Sequence, residues 1–182
     1  MRFPHHRCIM DASFAADDAM TVRQSGQNSI EETLGAAHDS VLQAWDGFLK
    51  AVQSCDRETL RARFSEFEVL LSRQIKLEEE ILFPKLEAEA GKLESDPTVP
   101  MRLEHRAVEA ALDRLAARIR AEDCAALHEQ PAQFSPLLRN HLNREKNVLY
   151  PVADLVIPAQ GRAEIVSRVH GVEDPGGRGV AS

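Results

Sequence analysis

Two stretches of this chain set a carboxylate inside an apolar stripe and then end alike. One is Gln74-Ile75-Lys76-Leu77-Glu78, followed by Ile81-Leu82-Phe83-Pro84. The other is His141-Leu142-Asn143-Arg144-Glu145, followed by Val148-Leu149-Tyr150-Pro151. Residues four apart on a helix share a face, so each stretch aims two polar side chains at one place. A buried carboxylate costs several kcal/mol unless something pairs with it. Two of them in matching contexts suggest a bound cation.

The flanking sequence supplies the helices. From Ser29, with Glu32 three residues later as in a capping box, a first stripe runs Ile30, Leu34, His38, Val41, Trp45, Phe48, Val52. After a turn near Cys55-Asp56, the second runs Leu60, Phe64, Phe67, Leu71, Gln74, Glu78, Ile81, with Glu79 and Glu80 pointing away. Pro84 is expected to kink this helix or end it before a further turn. Gly91 to Pro100 is a break. The third stripe is Met101, His105, Val108, Leu112, Leu115, Ile119, with Glu109 at its edge. Asp123 to Pro131 reads as irregular. The fourth stripe is Phe134, Leu138, His141, Glu145, Val148, stopping near Pro158, and a short C-terminal helix is expected over Ala159 to His170.

Alternating steps of three and four give each helix one buried face. The expected fold is therefore all-α, an up-down-up-down four-helix bundle. Residues 1–28 are expected to form a flexible N-terminal arm, 29–170 the bundle and 171–182 a disordered tail. Met10 and Met20 are alternative starts to Met1. His38 and Gln74 are almost equally far from the turn at Cys55, and His105 and His141 from the break near Asp123. At about 1.5 Å per residue the mismatch in each hairpin is a turn or less. His38, Gln74, Glu78, His105, His141 and Glu145 can thus share one layer.

Singly, each of these residues reads as a satisfied core or boundary side chain, and Trp45 and Tyr150 read as packing. Together they place a polar intrusion on every helix at one depth. Imidazole and carboxylate donors suit iron, manganese or zinc better than calcium, which prefers oxygen alone. The formal charge of −7 disfavours nucleic acid as a partner and docking on anionic membranes. No apolar run reaches the roughly 20 residues of a membrane span, and no secretory signal is evident before Asp11. Cys8, Cys55 and Cys124 are odd in number and widely spaced, as expected of reduced thiols in a cytoplasm. Cys55 and Cys124 are expected at the same end of the bundle.

Over Ile30 to Pro158 the chain resembles the hemerythrin-like, or HHE cation-binding, family. That family has a His on helix one, His-x3-Glu on helix two, a His on helix three, and His-x3-Glu or His-x4-Asp on helix four. His38-Asp39, Glu78 with Leu82-Phe83-Pro84, Glu104-His105, and His141 and Glu145 with Leu149-Tyr150-Pro151 supply these elements in order. The resemblance implies a non-haem di-iron centre bridged by Glu78 and Glu145. One iron would be served by His105 and His141, the other by His38 and the helix-two position. Gln74 stands where the family has that second His. The resemblance therefore leaves a di-iron and a mononuclear centre open, the latter from His105, His141 and Glu109. Glu109 merely bordering the stripe is the alternative. The resemblance also implies binding or sensing of O2, NO or peroxide; Leu42, Phe67, Leu71 and Leu112, each one helical step from a proposed ligand, are candidate pocket walls, and the arm is available to recruit a protein partner. An iron-dependent redox or repair enzyme and a metal-free interaction module are the two alternatives.

Overall fold

The computed structural model describes residues 29–54, 56–89, 91, 96–121 and 124–173. The expectations for the arm 1–28, for the thiols of Cys8, Cys55 and Cys124, and for the chain beyond 173 fall outside the described residues.

Among the described residues, seven α-helical segments make four long rods and one short one. Rod one is α1 (Ile30–Ser54). Rod two is α2 (Arg57–Leu77), a π turn at Glu78–Leu82, and α3 (Phe83–Ala88). Rod three is α4 (Thr98–Arg120). Rod four is α5 (Cys124–Arg144), a second π turn at Glu145–Leu149, and α6 (Tyr150–Val156). The terminal helix α7 (Ala159–Glu173) extends past the expected boundary at His170. No strand occurs among the described residues. Hairpin partners pack together, α1 on α2 and α4 on α5, and α1 also meets α5, α6 and α7. This is the four-helix bundle, with α7 packed against rods one and two, where Lys85 pairs with Glu164 and Arg73 bonds the Val169 carbonyl.

Two expectations need correction, and a third is met with an addition. Pro84 does not break rod two: it follows the π turn as the second residue of α3, and Pro151 does the same in α6. At the first turn of a helical segment, a residue without an N–H costs least. The irregular stretch expected up to Pro131 is instead helix from Cys124, with Pro131 and Pro136 inside it. There the burial of Leu127, Phe134 and Leu138 outweighs the ladder bonds the prolines remove. The capping box at Ser29 is shared with a distant residue. Ser29 Oγ accepts from Glu32 N, while Asp154 on α6 takes Ile30 N, Glu31 N and Ser29 Oγ at 2.8–3.0 Å.

The core is in two parts. One end holds Trp45, whose ring lies against Phe48, Phe67 and Phe134, with Leu71, Val108, Leu115 and Leu138 around it. The other end holds Leu34, Leu82, Phe83, Met101, Leu149 and Tyr150, closed by Ile165 and Val169 of α7. On each long rod a buried polar residue separates the two parts: His38 between Leu34 and Val41, Gln74 and Glu78 between Leu71 and Leu82, His105 between Met101 and Val108, His141 and Glu145 between Leu138 and Leu149. No described helix is long and apolar enough to cross a membrane.

Candidate metal centre

The polar layer is fully buried. Glu78 and Glu145 expose 0% of their surface, His105 1%, His38 and His141 2%, and Gln74 5%. Bulk water does not solvate groups at this depth, so their charges answer to one another.

Glu145 is the hub. Its Oε1 lies 3.0 Å from His141 Nε2 and 3.2 Å from His105 Nε2, and its Oε2 lies 3.0 Å from His38 Nε2. Glu78 Oε2 lies 3.2 Å from His105 Nε2. Glu78, His105, His141 and Glu145 each offer a ligand atom, all within 4.8 Å of one another. Despite the close approaches, Glu78 Oε2 and Glu145 Oε2 lack a hydrogen bond of proper geometry, and so does His38 Nδ1. Buried carboxylate oxygens without donors, facing imidazole nitrogens, form a set that a cation would satisfy.

An outer ring of carboxylates orients two of the imidazoles. His105 Nδ1 pairs with Glu79 Oε1 at 2.8 Å, and His141 Nδ1 with Glu104 Oε2 at 3.3 Å. Arg102 holds Glu79 and also Glu87, while Arg144 holds Glu104 at 2.5 Å. Phe83 stacks on His105 with ring planes 8° apart, and Arg102 lies over the Phe83 ring. A carboxylate on Nδ1 leaves Nε2 facing inward as a ligand, the usual support of a metal-bound histidine.

These contacts set the charges. Burial and the neighbouring Glu145 charge push the Glu78 carboxyl up. Burial also opposes the Glu145 charge, but the close imidazoles of His105, His141 and His38 outweigh it and hold that carboxyl well below its usual range. For His105, burial works against the charge, yet Glu145, Glu78 and Glu79 raise it to about 10. His141 is likewise raised, Glu145 overcoming burial. Imidazolium protons thus balance the two glutamates where an ion would.

The structure brings His38, Gln74, Glu78, His105, His141 and Glu145 together, but not Glu109, which is exposed on α4 and outside the cluster. One step of four from His105 carries Glu109 past the buried face that Val108 and Leu112 define. Glu79, expected to point away, instead bonds His105 because the π turn swings it toward α4. Tyr150, read as packing, is part of the layer. Its hydroxyl lies 2.6 Å from His38 Nε2, accepts from Gln74 Nε2 at 2.9 Å, and donates to Glu78 Oε1. Its place in the repeated ending, opposite Phe83, was the available signal, since only the tyrosine carries a hydroxyl.

Phe67, Leu71 and Leu112 belong to the Trp45 core rather than to a pocket, and Leu42 packs at the edge of that core. A pocket that reaches Gln74 lies between α1, α2 and α7, is lined by Ala37, Ser40, Val41, Leu70, Arg73, Gln74, Leu77 and Val169, and has a volume of about 60 Å³.

The family model of the hemerythrin HHE cation binding domain matches residues 29–153. No curated protein and no solved structure matches the chain.

Proposed function

The chain belongs to the family of hemerythrin HHE cation-binding domains, and we propose that it holds non-haem iron at Glu78, His105, His141 and Glu145 and uses it to bind or sense O2, NO or peroxide. The observation that carries this is the buried four-residue donor set in which one oxygen of each glutamate, Glu78 Oε2 and Glu145 Oε2, has no hydrogen-bond donor. Two imidazoles with carboxylates are a usual environment for ferrous iron with open positions, and zinc or manganese compete for the same donors. Bound iron would supply reversible redox chemistry and affinity for diatomic ligands. The chain supplies the rest. Glu79 and Glu104 fix the ring orientations. The two apolar cores keep bulk water out.

The test is elemental analysis after anaerobic reconstitution with ferrous iron, followed by titration with NO under electron paramagnetic resonance. Bound iron with a stoichiometric iron-nitrosyl signal is expected. Failure to retain any transition metal would overturn the reading. Repeated consumption of added peroxide would make the protein an enzyme rather than a sensor, because a sensor responds once per bound ligand.

A further inference from the structure

We infer that Tyr150, together with Gln74, closes the position beside His38 where a second metal would sit, so that the centre holds one ion. This rests on the iron reading above and specifies its stoichiometry.

The two halves of the layer are built differently. In the half made by His105 and His141, each Nδ1 is anchored on a carboxylate, and each Nε2 faces glutamate oxygens at 3.0–3.2 Å. Metal–ligand bonds of about 2.1 Å place neighbouring ligands about 3 Å apart, so this spacing is that of donors around one ion. In the half made by His38, Nδ1 has no partner at all. Its Nε2 lies 3.0 Å from Glu145 Oε2 but also 2.6 Å from the Tyr150 hydroxyl, and the latter is a hydrogen-bond distance shorter than the spacing of two ligands on a common metal.

The hydrogen-bond directions close the half. Gln74 turns its amide nitrogen inward, to Glu78 Oε1 at 2.8 Å and to Tyr150 Oη at 2.9 Å. A carboxylate can only accept, so the amide nitrogen, and not the oxygen, faces the place a cation would take. Tyr150 commits its single proton to Glu78 Oε1. His38 Nε2 must then carry a proton to reach the phenol oxygen, which makes that nitrogen a donor. The phenol oxygen now accepts twice and donates once, its full capacity. His38 Nε2, the Gln74 amide and the Tyr150 hydroxyl are thus all committed to this network, which leaves Glu145 Oε2 as the free donor atom facing that half. Restoring histidine at position 74 alone leaves the hydroxyl in place.

The experiment measures iron per folded chain, with a visible spectrum after air exposure, for wild type, Gln74→His, Tyr150→Phe and the double variant. One ion is expected in wild type and in Q74H, and two in the double variant, where the hydroxyl is gone and an imidazole has replaced the amide. Two ions in wild type or in Q74H would overturn the inference, as would one in the double variant. A phenolate-to-iron charge-transfer band in wild type that Y150F abolishes would also overturn it, by making Tyr150 a ligand. Should the double variant fail to fold, one ion in wild type and Q74H without that band supports the closure, and two in either removes it. No iron in wild type overturns the iron reading itself, whereas two irons would keep that reading and remove only the role of Tyr150.

Discussion

At the scale of single residues, Glu78 and Glu145 are chemically identical and equally buried, yet their environments push them in opposite directions. Glu145 is held below its usual range by three imidazoles, while Glu78, beside Glu145 and burial, is pushed up. For Glu78 the folded state binds its proton more tightly than the unfolded state, so its contribution to stability declines as pH rises above the ordinary carboxylate range. For Glu145 the sign is reversed: its contribution is present at neutral pH and is lost as pH falls. In metal-free protein at pH 7, Glu78→Gln should therefore raise the urea midpoint. Glu145→Gln should lower stability by roughly 3 kcal/mol, because it strips the partner from buried imidazolium groups. Equal effects of the two variants would refute this division. A second consequence concerns binding. With His105 raised to about 10, iron must displace a proton at neutral pH, so ferrous affinity should climb about tenfold per pH unit for each proton released. Calorimetry in two buffers of different ionisation enthalpy would show it, and a pH-independent affinity would contradict it. The sequence made visible those residues that interrupt an apolar stripe: His38, Gln74, Glu78, His105, His141 and Glu145. It hid Tyr150, because an aromatic on a stripe fits packing as well as polar chemistry, and Glu79, because its direction depends on a local change of helical pitch.

At the scale of elements, that change of pitch is the main thing periodicity could not reveal. Both π turns begin at the layer's glutamates, and each closes with the N–H of the next aromatic, Phe83 or Tyr150, bonding back to the glutamate carbonyl. A π turn inserts one residue into the ladder and re-aims the helix beyond it. A pattern of threes and fours registers the apolar residues on either side but not the insertion between them. The repeated ending was the visible trace of it. The cap on α1 was half legible for a related reason. Ser29 could be read as a local cap, but Asp154, which takes two backbone N–H groups and the serine hydroxyl, comes from the far end of the chain. It ties rod one to rod four, with Arg162 bonding the Asp154 and Ile157 carbonyls beside it. Asp154→Ala should cost about 1–2 kcal/mol, the upper range for a lost cap, in chemical denaturation, and should leave iron stoichiometry unchanged. A loss of iron in this variant would mean that the cap also sets the register of the layer.

At the scale of the whole molecule, the polar layer divides a bundle core that would otherwise be continuous. Such a layer weakens the fold when only protons balance its charges, and strengthens it when an ion does, since anything that binds only the native state stabilises it. With iron present at about a thousandfold above its dissociation constant, the gain is about 4 kcal/mol. At roughly 2–4 °C per kcal/mol for a domain near this size, chelation should lower the melting temperature by about 10 °C. The control is His141→Ala, which removes a donor from the set and should melt at nearly the same temperature with and without chelator. The contrast between the two proteins separates a metal layer from a merely polar one. A polar layer held together by its own hydrogen bonds would give no chelator effect in wild type, and His141→Ala would then register only as the loss of a partner to Glu145 and Glu104. A metal layer makes the wild type depend on the ion and the variant indifferent to it.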